Sequence, residues 1–307
     1  GFNDFTSIQN PGVGVYVNQV IVPYHPMMSA QLLDLQRVEV LKGPQGTLYG
    51  RNSTAGALNF ITRKPTQELD IRAKAGYSSY DTWDFEGAVG GGLTDTLAGR
   101  LAVGTYQRTG GYQTNRLNGD DEYGSKDRTS IRGMLSWEPG DNFDALIDIH
   151  AGFDKSDPVA LEHLASVDSV TFTEPCAPVA AGIRAEGPCI NFGGYFDPDS
   201  DPFAGDYSVT DGGVDNSAWG FSTTMNWELE NGLTITSVTG YDRYFRNQLQ
   251  DIDASPFVFI DVTFNDKTWA FSQELRLTSD TSGDFNWMAG VFYSNDSVDA
   301  IQNVDAT

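Results

Sequence analysis

The sequence predicts an all-β transmembrane protein, an antiparallel β-barrel wall preceded by a small α+β unit. Three observations predict it. From Gln67 onward apolar residues recur with period two. The connections between those periodic segments alternate between short and long. The first 66 residues share neither property and are rich in Val, Ile, Gly and Pro.

Within the first unit, Gly14 to Val22 (GVYVNQVIV) reads as a strand that Pro23 and Pro26 bring to an end. Ser29 to Leu35 (SAQLLDL) reads as a short helix with Ser29 as its N-cap. Arg37 to Lys42 and Ala57 to Thr62 read as two strands around a Gly/Pro-rich turn (Gly43, Pro44, Gly46, Gly50), and Pro65 closes the unit. The domain boundary is therefore placed between residues 1–66 and 67–307.

Nine wall strands follow, at about 67–79, 82–92, 96–109, 128–138, 143–155, 216–228, 232–245, 267–278 and 285–297. The clearest is Phe143 to Phe153. Phe143, Ala145, Ile147, Ile149, Ala151 and Phe153 share one face, while Asp144, Asp148 and His150 share the other. A helix would mix these residues and a strand separates them. Likewise Ile131, Gly133, Leu135 and Trp137 oppose Ser130, Arg132, Met134 and Ser136. Most segments reach the roughly ten residues that a tilted strand needs to cross a bilayer. Short turns on one rim and long loops on the other mark a membrane barrel, whose apolar face points outward and whose lumen is polar. On that rule Asp144, Asp148, His150, Glu274 and Arg276 line the lumen. Tyr77, Trp137, Phe153, Trp227 and Trp269 fall near strand ends, where aromatics form interfacial girdles or simply pack across strands.

Composition narrows the function. A net charge of -23 excludes a nucleic-acid partner, which would need a basic footprint. With 12% aromatic and 39% apolar residues in periodic order, the acidity does not signal disorder. No apolar run reaches the length of a transmembrane helix, which leaves strands to cross the membrane. The opening residues, Gly1-Phe2-Asn3-Asp4, lack the regions of a signal peptide. The chain is thus expected to be an internal piece of a longer protein. Nine strands are also too few to close the barrel, since an open edge in lipid leaves backbone groups unsatisfied. No catalytic constellation is present, and the protein is expected not to be an enzyme.

The stretch Leu35 to Pro65 (LQRVEVLKGPQGTLYGRNSTAGALNFITRKP) closely resembles the second half of the plug domain of TonB-dependent outer-membrane receptors. Phe271 to Leu277 (FSQELRL) and Trp287 to Tyr293 (WMAGVFY) resemble barrel segments of the same family. The resemblance implies a barrel of roughly 22 strands with the plug in its lumen, in the bacterial outer membrane. It implies active import of a scarce nutrient, most commonly a ferric siderophore, driven by the TonB–ExbB–ExbD complex. Glycans or sugars, cobalamin and small aromatic compounds are the alternative cargoes, and a passive porin-like channel is the alternative class. The expected partners are that complex, outer-membrane lipids including lipopolysaccharide, and the imported ligand. The family segment offered to TonB would precede Gly1. Plug arginines pairing with barrel glutamates, as in the family, point to Arg37, Arg51 and Glu274 as reversible plug–barrel docking residues.

Gly43, Gly46 and Gly50 do not form a phosphate loop, because the Gly-Lys-Ser/Thr of that motif is missing and Pro44 interrupts it. Cys176 and Cys189, the only cysteines, lie in the long loop and are expected to form a disulfide worth roughly 3 kcal/mol by chain entropy. Asp197, Asp199 and Asp201 alternate along that loop as candidate Ca²⁺ ligands, with a solvated acidic loop as the alternative; no other cofactor is expected. From Ser156 to Asn216 eleven carboxylates face one Arg. Phe192, Tyr195, Phe196, Phe203 and Tyr207 are interleaved there and could stack on an aromatic or sugar ligand.

Overall fold

The computed structural model describes residues 12–44, 55–161, 167–183, 189–191, 193–198, 201–209, 213–279 and 285–305. An inner unit carries four strands: β1 (Val13–Val17), β2 (Val20–Ile21), β3 (Leu35–Lys42) and β4 (Gly56–Thr62), in the sheet order β2-β1-β4-β3. β1 runs parallel to β4 and the other pairs are antiparallel.

Two expectations fail here for identifiable reasons. Gly14 to Val22 is a hairpin rather than one strand. Asn18 and Gln19 take positive φ values of 49° and 72°, which turn the chain so that Val17 pairs with Val20. Asn tolerates that region, and its side chain is held by Thr62 at 2.8 Å. The predicted helix at Ser29 to Leu35 is replaced by a 3₁₀ helix at His25–Ala30, which Pro26 starts. The next residues leave helical geometry because the carbonyls of Gln31 and Leu33 accept hydrogen bonds from outside the unit instead of from residues four ahead.

Among the described residues nine antiparallel strands form the wall: β5 (Asp70–Ser78), β6 (Thr82–Thr94), β7 (Leu97–Arg108), β8 (Lys126–Gly140), β9 (Phe143–Asp154), β10 (Asn216–Glu228), β11 (Thr234–Asp251), β12 (Asp261–Thr278) and β13 (Met288–Asp305). Each pairs with its sequence neighbour, so the order is the chain order and the sheet stays open between β5 and β13. The last three strands run 18 residues each and continue beyond their predicted ends toward the long-loop rim. Among the described residues no helix is long and apolar enough to cross a membrane.

Alternation sorts the two faces of the wall as the sequence implied. Ile147, Ile149, Phe153, Trp219, Phe221 and Trp227 stand exposed on the outside. Asp148, His150 and Asp242 point inward and are buried. The inner unit packs against that inward face. Val15, Val17, Val22, Met27 and Ala30 form one apolar cluster with wall residues Ala218, Tyr244 and Ala270.

Above the long-loop rim the connections fold onto one another. Gln113–Asn115 pairs with Asp120–Tyr123, and Ala204–Gly205 of the longest loop adds a parallel strand to that hairpin.

Candidate functional site

The densest buried polar structure lies where residues 31–34 of the inner unit meet the wall. Arg132, on the inward face of β8, donates to the Leu33 carbonyl at 2.7 Å and to the Gln31 carbonyl at 2.8 Å. Its Nε reaches Asp148 of β9 at 3.1 Å. The ring nitrogens of His150 lie 3.3 Å from Asp148 and 2.8 Å from Asp242. The Gln31 amide donates to that same Asp242 at 2.9 Å. Gln31, Arg132, Asp148, His150 and Asp242 therefore close a ring of contacts that passes through the inner unit at Gln31.

A second clasp sits beside it. Asp34 holds φ = 54°, a conformation Asp tolerates better than most side chains. Its carboxylate receives both Nε and Nη2 of Arg100 from β7, the latter at 2.9 Å. Arg100 also bonds Asp70 of β5 at 2.9 Å. The Asp34 amide donates to Glu86 of β6 at 3.1 Å.

Glycines let the two bodies approach this closely. A Cβ on Gly104 would meet Leu33 at 2.8 Å, one on Gly152 would meet Ala30 at 2.8 Å, and one on Gly240 would meet Val20 at 2.2 Å. Three wall strands thus carry notches that receive side chains or backbone of the inner unit.

Burial decides what this arrangement can do. The side chains of Arg100, Asp34, Arg132 and Asp148 are 1–4% exposed. Such pairs recover their desolvation only when every partner is in place, so they add little net stability yet penalise partial disassembly heavily. The junction therefore favours a fully seated inner unit or a released one over anything between.

Of the residues expected to dock the two bodies, Arg37 and Glu274 do not meet. Arg37 bonds its strand neighbour Glu39 at 2.8 Å on an exposed face, and Glu274 pairs with Arg276 at 3.5 Å on its own strand. Arg51 lies outside the described residues. The polarity is reversed relative to the expectation, since the wall supplies the arginines and the inner unit supplies a carboxylate and carbonyls. Period two had put Arg132, Asp148 and His150 on the polar face. Gln31 and Asp34 carried no comparable signal, because the local pattern read as helix.

In the loops, Cys176 and Cys189 form the expected disulfide, with Cα atoms 5.6 Å apart. Asp197 is taken by Arg116 at 2.8 Å, Asp201 caps the Phe203 amide at 3.0 Å, and Asp199 lies outside the described residues. Arg116 also binds Asp206 at 2.9 Å and supplies the positive charge itself. Burial pushes the Asp206 carboxyl up, but its bonds from Arg116 and Tyr195 outweigh that and hold it below the usual range. Among the described residues Asp251, Asp253 and Asp261 converge, with ligand atoms within 4.8 Å of one another. Among the aromatics, Phe196 and Phe203 are exposed, while Tyr207 is buried against Tyr123 and unavailable for stacking. Tyr195 is half-buried and donates to Asp206 at 2.8 Å, and Phe192 lies outside the described residues.

An antiparallel wall with its apolar face outward, clasped to a small mixed sheet on its inward side, defines a plugged outer-membrane β-barrel. Residues 1–57 match the TonB-dependent Receptor Plug Domain. The pesticin receptor of Yersinia pestis is 32% identical over 135 residues, covering 43% of this chain and 19% of that protein. The ferripyoverdine receptor of Pseudomonas aeruginosa is 34% identical over 125 residues, covering 40% and 14%. The crystal structure of the ferric yersiniabactin uptake receptor FyuA from Yersinia pestis superposes with a TM-score of 0.71 at 19% identity, covering 97% of this chain and 41% of that one. The chain is thus similar to TonB-dependent receptors of the outer membrane, and it spans less than a fifth of the length of these curated relatives.

Proposed function

We propose that this chain supplies plug and wall strands to an importer that carries a ferric siderophore across the outer membrane. The observation that carries the reading is the buried junction between residues 31–34 and the wall. A diffusion channel has no use for a body seated in its lumen through Arg100, Arg132 and two carbonyls. A plug that must be pulled aside and then reseat has one, because polar contacts can exchange for water during the opening and re-form afterwards. The force would come from the TonB–ExbB–ExbD complex acting on the plug. The relatives are named as receptors, and this reading requires no catalysis.

The cargo class rests on those relatives, whose names specify ferripyoverdine and ferric yersiniabactin. The acidic loop over the mouth attracts cations and disfavours strongly anionic complexes. A ferric chelate of low net charge therefore fits best, with the exposed Phe196 and Phe203 as its contacts in that loop. The test is the outer-membrane abundance of the full-length receptor under iron depletion and repletion, followed by growth of a deletion strain on single ferric chelates. Induction on depletion and loss of growth on one chelate support the reading. Constant abundance together with unimpaired growth on every chelate removes the cargo assignment.

A further inference from the structure

The outward face of the wall carries an arginine that the transport reading does not use. Arg243 of β11 stands in one cross-strand row between Trp219 of β10 and Trp269 of β12. Tyr241, the next outward residue below it, lies 5.7 Å from Trp219, 5.9 Å from Phe221 and 6.5 Å from Trp269, ring to ring. A guanidinium thus rises from an aromatic cluster on a surface that faces lipid.

Its orientation and depth say what could satisfy it. The guanidinium carbon lies 5.1 Å from the ring centre of Phe245, one outward position closer to the long-loop rim. Nε is buried and has no hydrogen-bond partner among the described residues. Leaving a charged donor unpaired is costly, and a lipid-facing strand offers no bulk water. Trp227, at the opposite rim, is eight residues below Trp219 on the same strand. At about 3.3 Å per residue and about 40° of tilt, the Arg243 row lies roughly 20 Å above Trp227. The next row, Phe245 opposite Lys267, lies roughly 25 Å above it, the height of the apolar band of a membrane barrel. Higher outward positions turn polar at Asn247 and Asn265. Lys267 is exposed and diagonal to Arg243, and Asp299 stands on its far side, leaving these three groups with one net positive charge.

We propose that Arg243 and Lys267 bind a phosphate of an outer-leaflet phosphorylated glycolipid of the lipid A type, with its acyl chains lying on Trp219, Tyr241 and Trp269. The long-loop rim faces outward, so these cations meet the outer leaflet. A guanidinium and an ammonium about 7–8 Å apart at the backbone, the spacing of diagonal neighbours, can share one phosphate. The proposal rests on the membrane placement of the wall and not on the cargo.

The test uses the full-length receptor, purified in mild detergent as wild type and as the Arg243→Gln/Lys267→Gln double variant. Lipid A bound after purification is quantified by mass spectrometry. The delipidated proteins are then titrated with bis-phosphorylated lipid A, dephosphorylated lipid A and phosphatidylglycerol. Loss of one charge-assisted contact corresponds to about a tenfold change in affinity, so the double variant should bind lipid A at least tenfold more weakly. Wild type should prefer the phosphorylated form by a similar factor. Equal retention by wild type and variant, equal affinity for dephosphorylated lipid A, or equal affinity for phosphatidylglycerol would each overturn the assignment. Heat-modifiable migration on gels verifies that the barrel is folded, and the Arg243→Met single variant replaces the double variant should that one misassemble. Ferric-chelate uptake measured in parallel separates failure here from failure of the transport reading.

Discussion

Arg100 and Arg116 each hold two aspartates, and the comparison shows how burial changes the meaning of the same chemistry. Arg100 binds Asp34 and Asp70 with its side chain 2% exposed, and it ties the plug to the wall. Arg116 binds Asp206 and Asp197 with its side chain 22% exposed, and it ties two surface loops together. In the first site desolvation has already been incurred, so removing one partner strands the other in a medium that cannot rehydrate it. In the second, water reaches the freed group and limits the loss. The inner site behaves as a switch with two allowed positions. The outer site behaves as an adjustable brace.

The largest effect that would break this comparison is expected at Arg132. Arg132→Met leaves Asp148 and the carbonyls of Gln31 and Leu33 without their donor, at a cost of about 3–5 kcal/mol. The plug should unseat while the wall stays folded. Cells producing the full-length variant should admit antibiotics too large for passive uptake, and plug residues should become protease-sensitive. Unchanged exclusion and unchanged protection would show that the junction is not what seats the plug.

A matched pair of substitutions sharpens the contrast. Asp34→Asn keeps a residue that tolerates positive φ and removes the charge that faces Arg100 and, at 3.8 Å, Arg63, so its effect reports the buried ionic contacts of Asp34; about 3 kcal/mol is expected. Asp206→Asn removes the corresponding charge in the loops, and about 1–2 kcal/mol of loop order is expected to go. Salt should separate them further. Raising ionic strength to about 1 M shortens the screening length to roughly 3 Å and should loosen the outer brace while leaving the buried site unmoved. Hydrogen exchange at residues 31–34 and 204–207 reads both sites in one experiment, and equal salt sensitivity would erase the distinction.

The glycine notches make a smaller and purely steric prediction. Gly152→Val places a Cβ at 2.8 Å from the Ala30 backbone, which cannot rotate away as a side-chain tip could. Overpacking of this kind costs about 1–3 kcal/mol. The wall should remain folded and the plug should sit displaced, read as a lower plug unfolding midpoint without a change in the heat-modifiable barrel. Gly133→Val is the control, since a Cβ there meets nothing within 4 Å.

What the sequence could disclose follows the same division between repetition and particular contact. Strand alternation is a property of every second residue, so the nine wall strands and the inward placement of Arg132, Asp148 and His150 were legible from Gln67 onward. The plug motif gave the resemblance, and an even cysteine pair gave the disulfide. The docking partners were not legible. Gln31 and Asp34 look like helix residues, and only the approach of β7 and β8 draws them out of helical geometry. Arg37 has the right charge for docking, yet β3 turns it to an exposed face where Glu39 is nearer than any wall carboxylate. Asp197 stood in the sequence as a candidate cation ligand or a solvated carboxylate, and the fold gives it Arg116, about eighty residues earlier, as a partner. Asp251 and Asp261, by contrast, are brought together by strand pairing that no local motif announces.

The smallest prediction concerns pH and again belongs to the outer brace. Burial raises the Asp206 carboxyl, but the bonds from Arg116 and Tyr195 lower it more, so its folded value lies below the unfolded one. A depressed carboxylate contributes stability that is fully present above the unfolded value of about 3.9 and is lost as pH falls through the lower folded value. The brace should therefore hold from neutral pH down to about pH 4 and release only in stronger acid. Protease nicking of the loop around 201–209, followed from pH 7 to pH 3, should rise at the acid end in wild type. In Asp206→Asn it should be raised already at pH 7 and show a flatter acid limb. A wild-type loop that opens near pH 6 would mean that some other group governs it, and the parallel between Arg116 and Arg100 would then be geometric only.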